Sequence, residues 1–203
     1  MYPPQELTPQ IPGHGLIIAC PMHKEAVAIE AMLGRGAQVL GTGIGVKRSI
    51  PVLLKVFKHK KPSMLVFSGS VSQLDPSLDF GSVVVPKAWC FENGRSVSTA
   101  PLPGEIGQQA GWTEVERGLT VNRPAIKAAH RKRLFEEHKA SIFDSVTATV
   151  VRLCLAEGIL CMTPKIVANT VDSGLTRFWR NLESNLGPLV EGLEELWESD
   201  NRE

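Results

Sequence analysis

Short apolar runs alternate along this chain with helix-patterned stretches, and that alternation constrains the fold more than any single motif. Leu16-Ile17-Ile18-Ala19-Cys20 is apolar throughout, as a strand covered on both faces requires. Pro21 stops it. Lys24 to Leu33 then carries helix formers with apolar residues at helical spacing, closed by Gly34 and Gly36. The pattern repeats with Gln38 to Leu40 as a strand, Lys47 to His59 as a helix, Ser63 to Phe67 as a strand and Gly81 to Pro86 as a β-branched strand. Gly118 to Val121 and Ser141 to Phe143 read as strands, and Ala125 to His138 as a basic amphipathic helix. Asp144 or Ser145 is placed to cap a helix that runs to Glu157 and ends at Gly158. Ile159 to Val167 reads as one strand broken at Thr163-Pro164-Lys165, where the proline implies an edge or a bulge. A last helix is expected over Leu175 to Ser199, with leucines at 182, 186, 189, 193 and 196.

Strands alternating with helices predict a doubly wound three-layer α/β/α fold with a central mixed, mostly parallel sheet. The chain of 203 residues is sized for one domain, expected over residues 14–203 behind a proline-rich, flexible arm at 1–13. Residues 92–113, rich in Gly, Pro, Ser and Gln, read as a long loop or irregular hairpin of the kind that covers a binding site. Hydrophobic residues at 43% and charged residues at 21% exclude a disordered chain. A net charge of +1 gives no electrostatic reason to expect nucleic acid as a partner. No apolar run has the length of a membrane span, and no leader-like segment opens the chain, so a cytoplasmic location is expected.

Function in such folds gathers at the C-terminal ends of the strands. Here those positions are Pro21 to Glu25, Gly41 to Gly45, Ser68 to Ser72, Phe143 to Val146 and Asn169 to Ser173. Glu25 is placed to orient or deprotonate a water, or simply to favour the first turn of a helix. The glycines of Gly41-Thr42-Gly43-Ile44-Gly45 let a backbone approach a ligand, though the loop is not a dinucleotide fingerprint. Ser68-Gly69-Ser70-Val71-Ser72 offers hydroxyls and N–H groups to a flat ligand, or is an ordinary polar turn. Asn169 can pair with both the donor and the acceptor edge of a nucleobase, and Asp172 can move a proton. The five histidines are scattered and the four cysteines form no CxxC pair, so neither a metal nor a redox cofactor is expected.

Taken in order, these segments resemble the nucleoside phosphorylase and nucleosidase family over nearly the whole chain, from Leu16 to Leu196. LIIACPMHKEA is similar to the family's first strand and its glutamate-bearing loop, and GTGIGVKRS to its glycine loop. VFSGSVSQLDPSLDFGSVVVP is the most specific match. IFDSVTATVVRLCLAEGI resembles the strand and helix that carry an acidic ribose-binding motif, and KIVANTVDSG the last strand. The resemblance implies cleavage of an N-glycosidic bond in a purine nucleoside or nucleoside-linked metabolite, by phosphate as co-substrate or by water. It places Glu25 at the nucleophile, Thr42, Gly43 and Gly45 by ribose or phosphate, and Ser70, Val71 and Ser72 under sugar and base, with Arg48 among the arginines available to hold phosphate. Asn169 falls where the family has the acid that protonates the base. Asp144, Ser145 and Val146 align with the ribose-binding motif, Val146 replacing its hydroxyl-gripping glutamate. Asp144 and Asp172 are the nearby carboxylates able to compensate. The alternative is a weakened relative that binds a nucleoside-like molecule without turnover. The family habit of completing pockets across subunits implies a homo-oligomer, a dimer or higher.

Overall fold

The computed structural model describes residues 15–34, 36–171 and 185–201. The arm at 1–13, Asp172 and the first half of the expected last helix lie outside the described residues. In chain order the elements are β1 (Leu16–Cys20), α1 (His23–Leu33), β2 (Val39–Gly41), α2 (Val46–Lys60), β3 (Met64–Phe67), β4 (Gly69–Gln73), β5 (Val83–Phe91), β6 (Ser96–Ser98), α3 (Gly104–Gln109), β7 (Thr113–Thr120), α4 (Ala128–His138), β8 (Ile142–Asp144), α5 (Thr147–Glu157), β9 (Leu160–Met162), β10 (Lys165–Asn169) and α6 (Gly187–Asn201).

Apolar periodicity explains the layers. Leu16, Ile18 and Cys20 of β1 and Met64 and Val66 of β3 face one core, while Ile17, Ala19, Leu65 and Phe67 face the other. Ala26 and Ile29 of α1 and Leu189, Leu193 and Leu196 of α6 cover the first face. Leu53 and Phe57 of α2 and Val150, Val151 and Cys154 of α5 cover the second. A strand with both faces buried has to be apolar at every position, as β1 and β3 are. The fold is α/β around a central sheet, as the alternation of elements implies.

The sheet is more elaborate than one doubly wound layer. β2, β1, β3 and β9 form an all-parallel sheet in that order. The order of the second sheet is β10-β4-β8-β7-β5-β6, and a β10–β5 pairing closes five of its strands into a ring. Two consecutive pairs of strands carry the chain from one sheet to the other. β3 passes into β4 through Ser68 alone, and β9 passes into β10 through Thr163 and Pro164. The two junctions are stitched together where the Ser68 hydroxyl donates to the Pro164 carbonyl at 3.1 Å.

Three sequence expectations change here. Ser68 to Ser72, read as a loop, is mostly strand β4, because β10 and β8 pair with it on either side and override its poor β propensity. The broken strand at 159–167 is two strands in two sheets, with Pro164 at the corner. Residues 92–113, expected as a long loop or irregular hairpin, hold the hairpin strand β6 and also a short helix, α3, that neither alternative included. This segment docks on α6, where the Trp112 indole N–H donates to the Pro188 carbonyl at 3.0 Å.

Candidate functional site

The sheet junction places the first candidate. Glu25 sits in the first turn of α1 and is fully buried. Its Oε1 accepts the Ser70 backbone N–H at 2.8 Å, and its Oε2 has no hydrogen-bond partner among the described residues. Gly69 makes this approach feasible: its φ is +128°, and a Cβ there would lie 2.8 Å from Glu25 Oε2. Burial pushes the Glu25 carboxyl above its ordinary range, against the opposing pull of the Ser70 hydrogen bonds and the Lys165 charge. A buried carboxylate with one oxygen fixed and one unsatisfied is set up to take a proton from a water or hydroxyl group.

Beside it lies a cavity of about 190 Å³ lined by Pro21, Met22, Ile44, Ser70, Val71, Ser72, Val121, Pro124, Phe143, Asp144, Ser145 and Val146. Six of the sequence-derived candidates therefore share one wall: Ser70, Val71 and Ser72 from β4, and Asp144, Ser145 and Val146 from the turn between β8 and α5. Most of the rest of the wall is apolar. Val146 is itself buried, and its side chain accepts no hydrogen bond.

Asp144 is engaged in structure. Its Oδ1 accepts the N–H groups of Val146 and Thr147 at 3.1 and 3.0 Å and the Thr120 hydroxyl at 3.1 Å. Its Oδ2 accepts the Thr147 hydroxyl. These bonds satisfy orphan donors at the start of α5, so Asp144 braces the helix start from two residues before its N-cap, Val146.

Asn169, at the end of β10, is fully buried next to Ser72 in the strand register, across a bulge. Neither its amide nitrogen nor its amide oxygen has a hydrogen-bond partner among the described residues. The glycine loop stands apart from the cavity wall, apart from Ile44. Thr42 is buried and donates to the Cys20 carbonyl and the Ser49 hydroxyl at 3.3 and 3.0 Å. Gly45 caps α2 at φ 82°, and Gly43 packs on the Arg48 stem. Arg48 itself points to solvent as an exposed residue. Asp172 lies outside the described residues.

No protein-family model matches the sequence, and neither does any curated protein sequence. Solved structures do match. A Helicobacter pylori methylthioadenosine/S-adenosylhomocysteine nucleosidase mutant with 5'-methylthioadenosine in its active site superposes at a TM-score of 0.79 and 15% identity, covering 92% of this chain and 99% of that one. Futalosine hydrolase of Helicobacter pylori superposes at 0.80 and 14% identity, covering 91% and 97%. Arabidopsis thaliana 5'-methylthioadenosine nucleosidase superposes at 0.77 and 14%, covering 95% and 98%. The chain has the nucleosidase fold.

Within this nucleosidase fold, the buried polar residues outside the sequence candidates include Lys165, Arg131 and Gln73. Lys165, 1% exposed, stands at the first position of β10 with its Nζ 3.9 Å from Asp144 Oδ2 and 4.4 Å from the Phe67 ring centroid. Arg131, fully buried on α4, donates through Nε to the Ala125 carbonyl at 2.7 Å and through Nη1 to the Thr170 carbonyl at 2.8 Å. Gln73 Oε1 accepts the Val171 N–H at 2.6 Å. Arg131 and Gln73 thus pin the chain leaving Asn169 to the neighbouring β7–α4 connection and to β4. A lysine opening an apolar strand was a visible signal. A single arginine within the basic helix 125–138 was not.

Among the described residues there is no group of three or more His, Cys, Asp or Glu able to hold a metal ion. No helix there is long and apolar enough to cross a membrane.

Proposed function

We propose that this chain hydrolyses the N-glycosidic bond of a purine nucleoside or nucleoside-linked metabolite. The observation that carries the reading is Glu25: a buried carboxylate, one oxygen anchored on Ser70 N–H, the other unsatisfied, beside a cavity floored by Ser70 to Ser72. The fold it shares with nucleosidases and futalosine hydrolase supports the same chemistry. Glu25 accepts a proton from water as the water attacks the anomeric carbon of an oxocarbenium-like sugar. The sugar lies on the β4 floor. The base lies toward Asn169, whose buried amide offers it a donor and an acceptor. An amide cannot protonate a leaving group, so that role falls to Asp172, three residues further along the chain.

Water is favoured over phosphate as the nucleophile. None of the described residues lining the cavity is basic, and Arg48 is exposed. A bound phosphate dianion calls for arginine or backbone N–H donors aimed at it. A second copy of the chain is a fitting cover for the cavity, where Ile44 of the wall is 47% exposed.

A second reading rests on Val146 and Asp144. The wall that would hold sugar hydroxyls is apolar at Val146, and Asp144 is occupied in bracing the start of α5. In that reading the chain binds a nucleoside-like molecule without cleaving it. Chromatography of free base after incubation with 5'-methylthioadenosine, S-adenosylhomocysteine, futalosine and inosine separates the two. Hydrolysis predicts base release from at least one, at equal rates with and without phosphate. Thermal stabilisation by a nucleoside with no base released would establish the binding reading.

A further inference from the structure

We propose that Lys165 is the positioning residue of this site: its buried ammonium, 3.9 Å from Asp144 Oδ2, stands at the junction where Glu25 closes on β4 and keeps the anionic form of Glu25 accessible to the reaction. The role in catalysis rests on the hydrolase reading of Glu25. The electrostatic role does not.

The geometry converges on Gly69. Lys165 is its partner in the β10–β4 register, and Glu25 lies against it from α1. Lys165 therefore opens β10 at the junction where Glu25 closes on β4. On its other side the Lys165 Nζ approaches Asp144 Oδ2 at 3.9 Å. Aromatic faces complete the surroundings, with Nζ 4.4 Å from the centroid of Phe67 and 5.9 Å from that of Trp89. Trp89 is held in place by its indole N–H, which donates to Thr163 Oγ1 at 2.8 Å. An ammonium ion on aromatic faces is stabilised without being neutralised, so its charge stays available to nearby carboxylates.

A lysine at 1% exposure in a strand needs a reason, because burying its charge is costly. The titratable groups facing it are Glu25 on α1, Cys20 at the end of β1, Cys161 on β9 and Asp144 on β8. Burial pulls the Lys165 ammonium below its ordinary range and pushes Glu25 above its own, while each group's charge favours the charged form of the other. The Cys20 thiol is pushed far up by burial and by Glu25, so it does not compete as an anion. Asp144 is fixed by its bonds to the start of α5 and cannot turn away. The lysine thus has one rigid carboxylate partner, Asp144, and one reactive one, Glu25. Without it, Glu25 would meet only the Ser70 and Met22 donors and the desolvating core, and would hold its proton more tightly.

Infrared titration of the Glu25 carboxyl band tests this, the band being assigned by its loss in Glu25→Gln. In Lys165→Met the Glu25 midpoint should rise by roughly 1–3 pH units, the usual effect of losing one close opposite charge. Lys165→Arg should return it to the wild-type value. An unchanged midpoint in Lys165→Met would overturn the proposal. Lys165→Gln, which keeps a polar group in the same place without the charge, serves if Lys165→Met does not fold. Its midpoint should rise in the same way, and a constant one overturns the proposal equally. The band reads ionisation and not turnover. A shifted midpoint in a protein that releases no base therefore rejects the hydrolase reading and leaves the charge coupling in place.

Discussion

Glu25 shows how a single buried carboxylate can be legible in sequence as a position and illegible as an environment. Its place a few residues after an apolar strand marks it as a candidate, but a solvated glutamate in a first helical turn has the same sequence. Burial decides between them, and burial here comes from β4, forty-five residues further along. The consequence for stability follows from linkage. The folded state raises the Glu25 carboxyl above its unfolded value, so the unfolded chain releases that proton first. The stability contributed by the protonated group is present below the unfolded pKa and is lost as pH rises through the folded one. Glu25→Gln should therefore be more stable than wild type at neutral pH by about 1–3 kcal/mol, the scale of a stranded buried polar group. The gap should close below about pH 4.3, where the unfolded carboxyl also holds its proton. Paired denaturant titrations across pH check it. Lys165 is visible in the sequence as a lysine opening an apolar strand, but beside a proline it also reads as a surface corner, and only the ring of strands around it makes it a buried charge.

At the scale of elements, boundaries follow local chemistry and pairings do not. Gly158 ends α5 in the left-handed region, as a glycine after an apolar helix implies, and Asp144 braces its start. Asp144→Ala should cost about 0.5–2 kcal/mol through the lost bonds to the helix start, read from the denaturant midpoint. No loss of stability would mean that the Thr120 hydroxyl, which accepts the Ala148 N–H at 2.8 Å, secures the helix start alone. β4 has no strand signal of its own, because a glycine and two serines carry none. Its partners Ile142 and Phe143 of β8 and Lys165 to Asn169 of β10 lie far along the chain. The same long-range pairing makes one expected strand into β9 and β10.

At the scale of the whole molecule, the α/β layering was legible because both faces of β1 and β3 are apolar. The closure of the second sheet was not, since it depends on two residue pairs between β10 and β5. The docking of α6 is a further whole-molecule feature with a sharp test. A Cβ at Gly192 would lie 2.2 Å from Trp112 Cζ2, so Gly192→Ala must push α6 off the segment that carries Trp112. A destabilisation of about 1–3 kcal/mol is expected, the usual cost of overpacking. A neutral substitution would show that the two elements slide freely. Layering, junction and ring together bring Glu25 against Ser70, which lines the cavity, and the account stands on that meeting. The most direct test is the rate of base release from whichever nucleoside the wild-type protein cleaves, measured again with Glu25→Gln. The account predicts a fall of about 10²–10⁴-fold, as for a lost general base, with nucleoside-induced thermal stabilisation retained. Equal rates in the two proteins, or nucleoside binding with no base released by either, would contradict it.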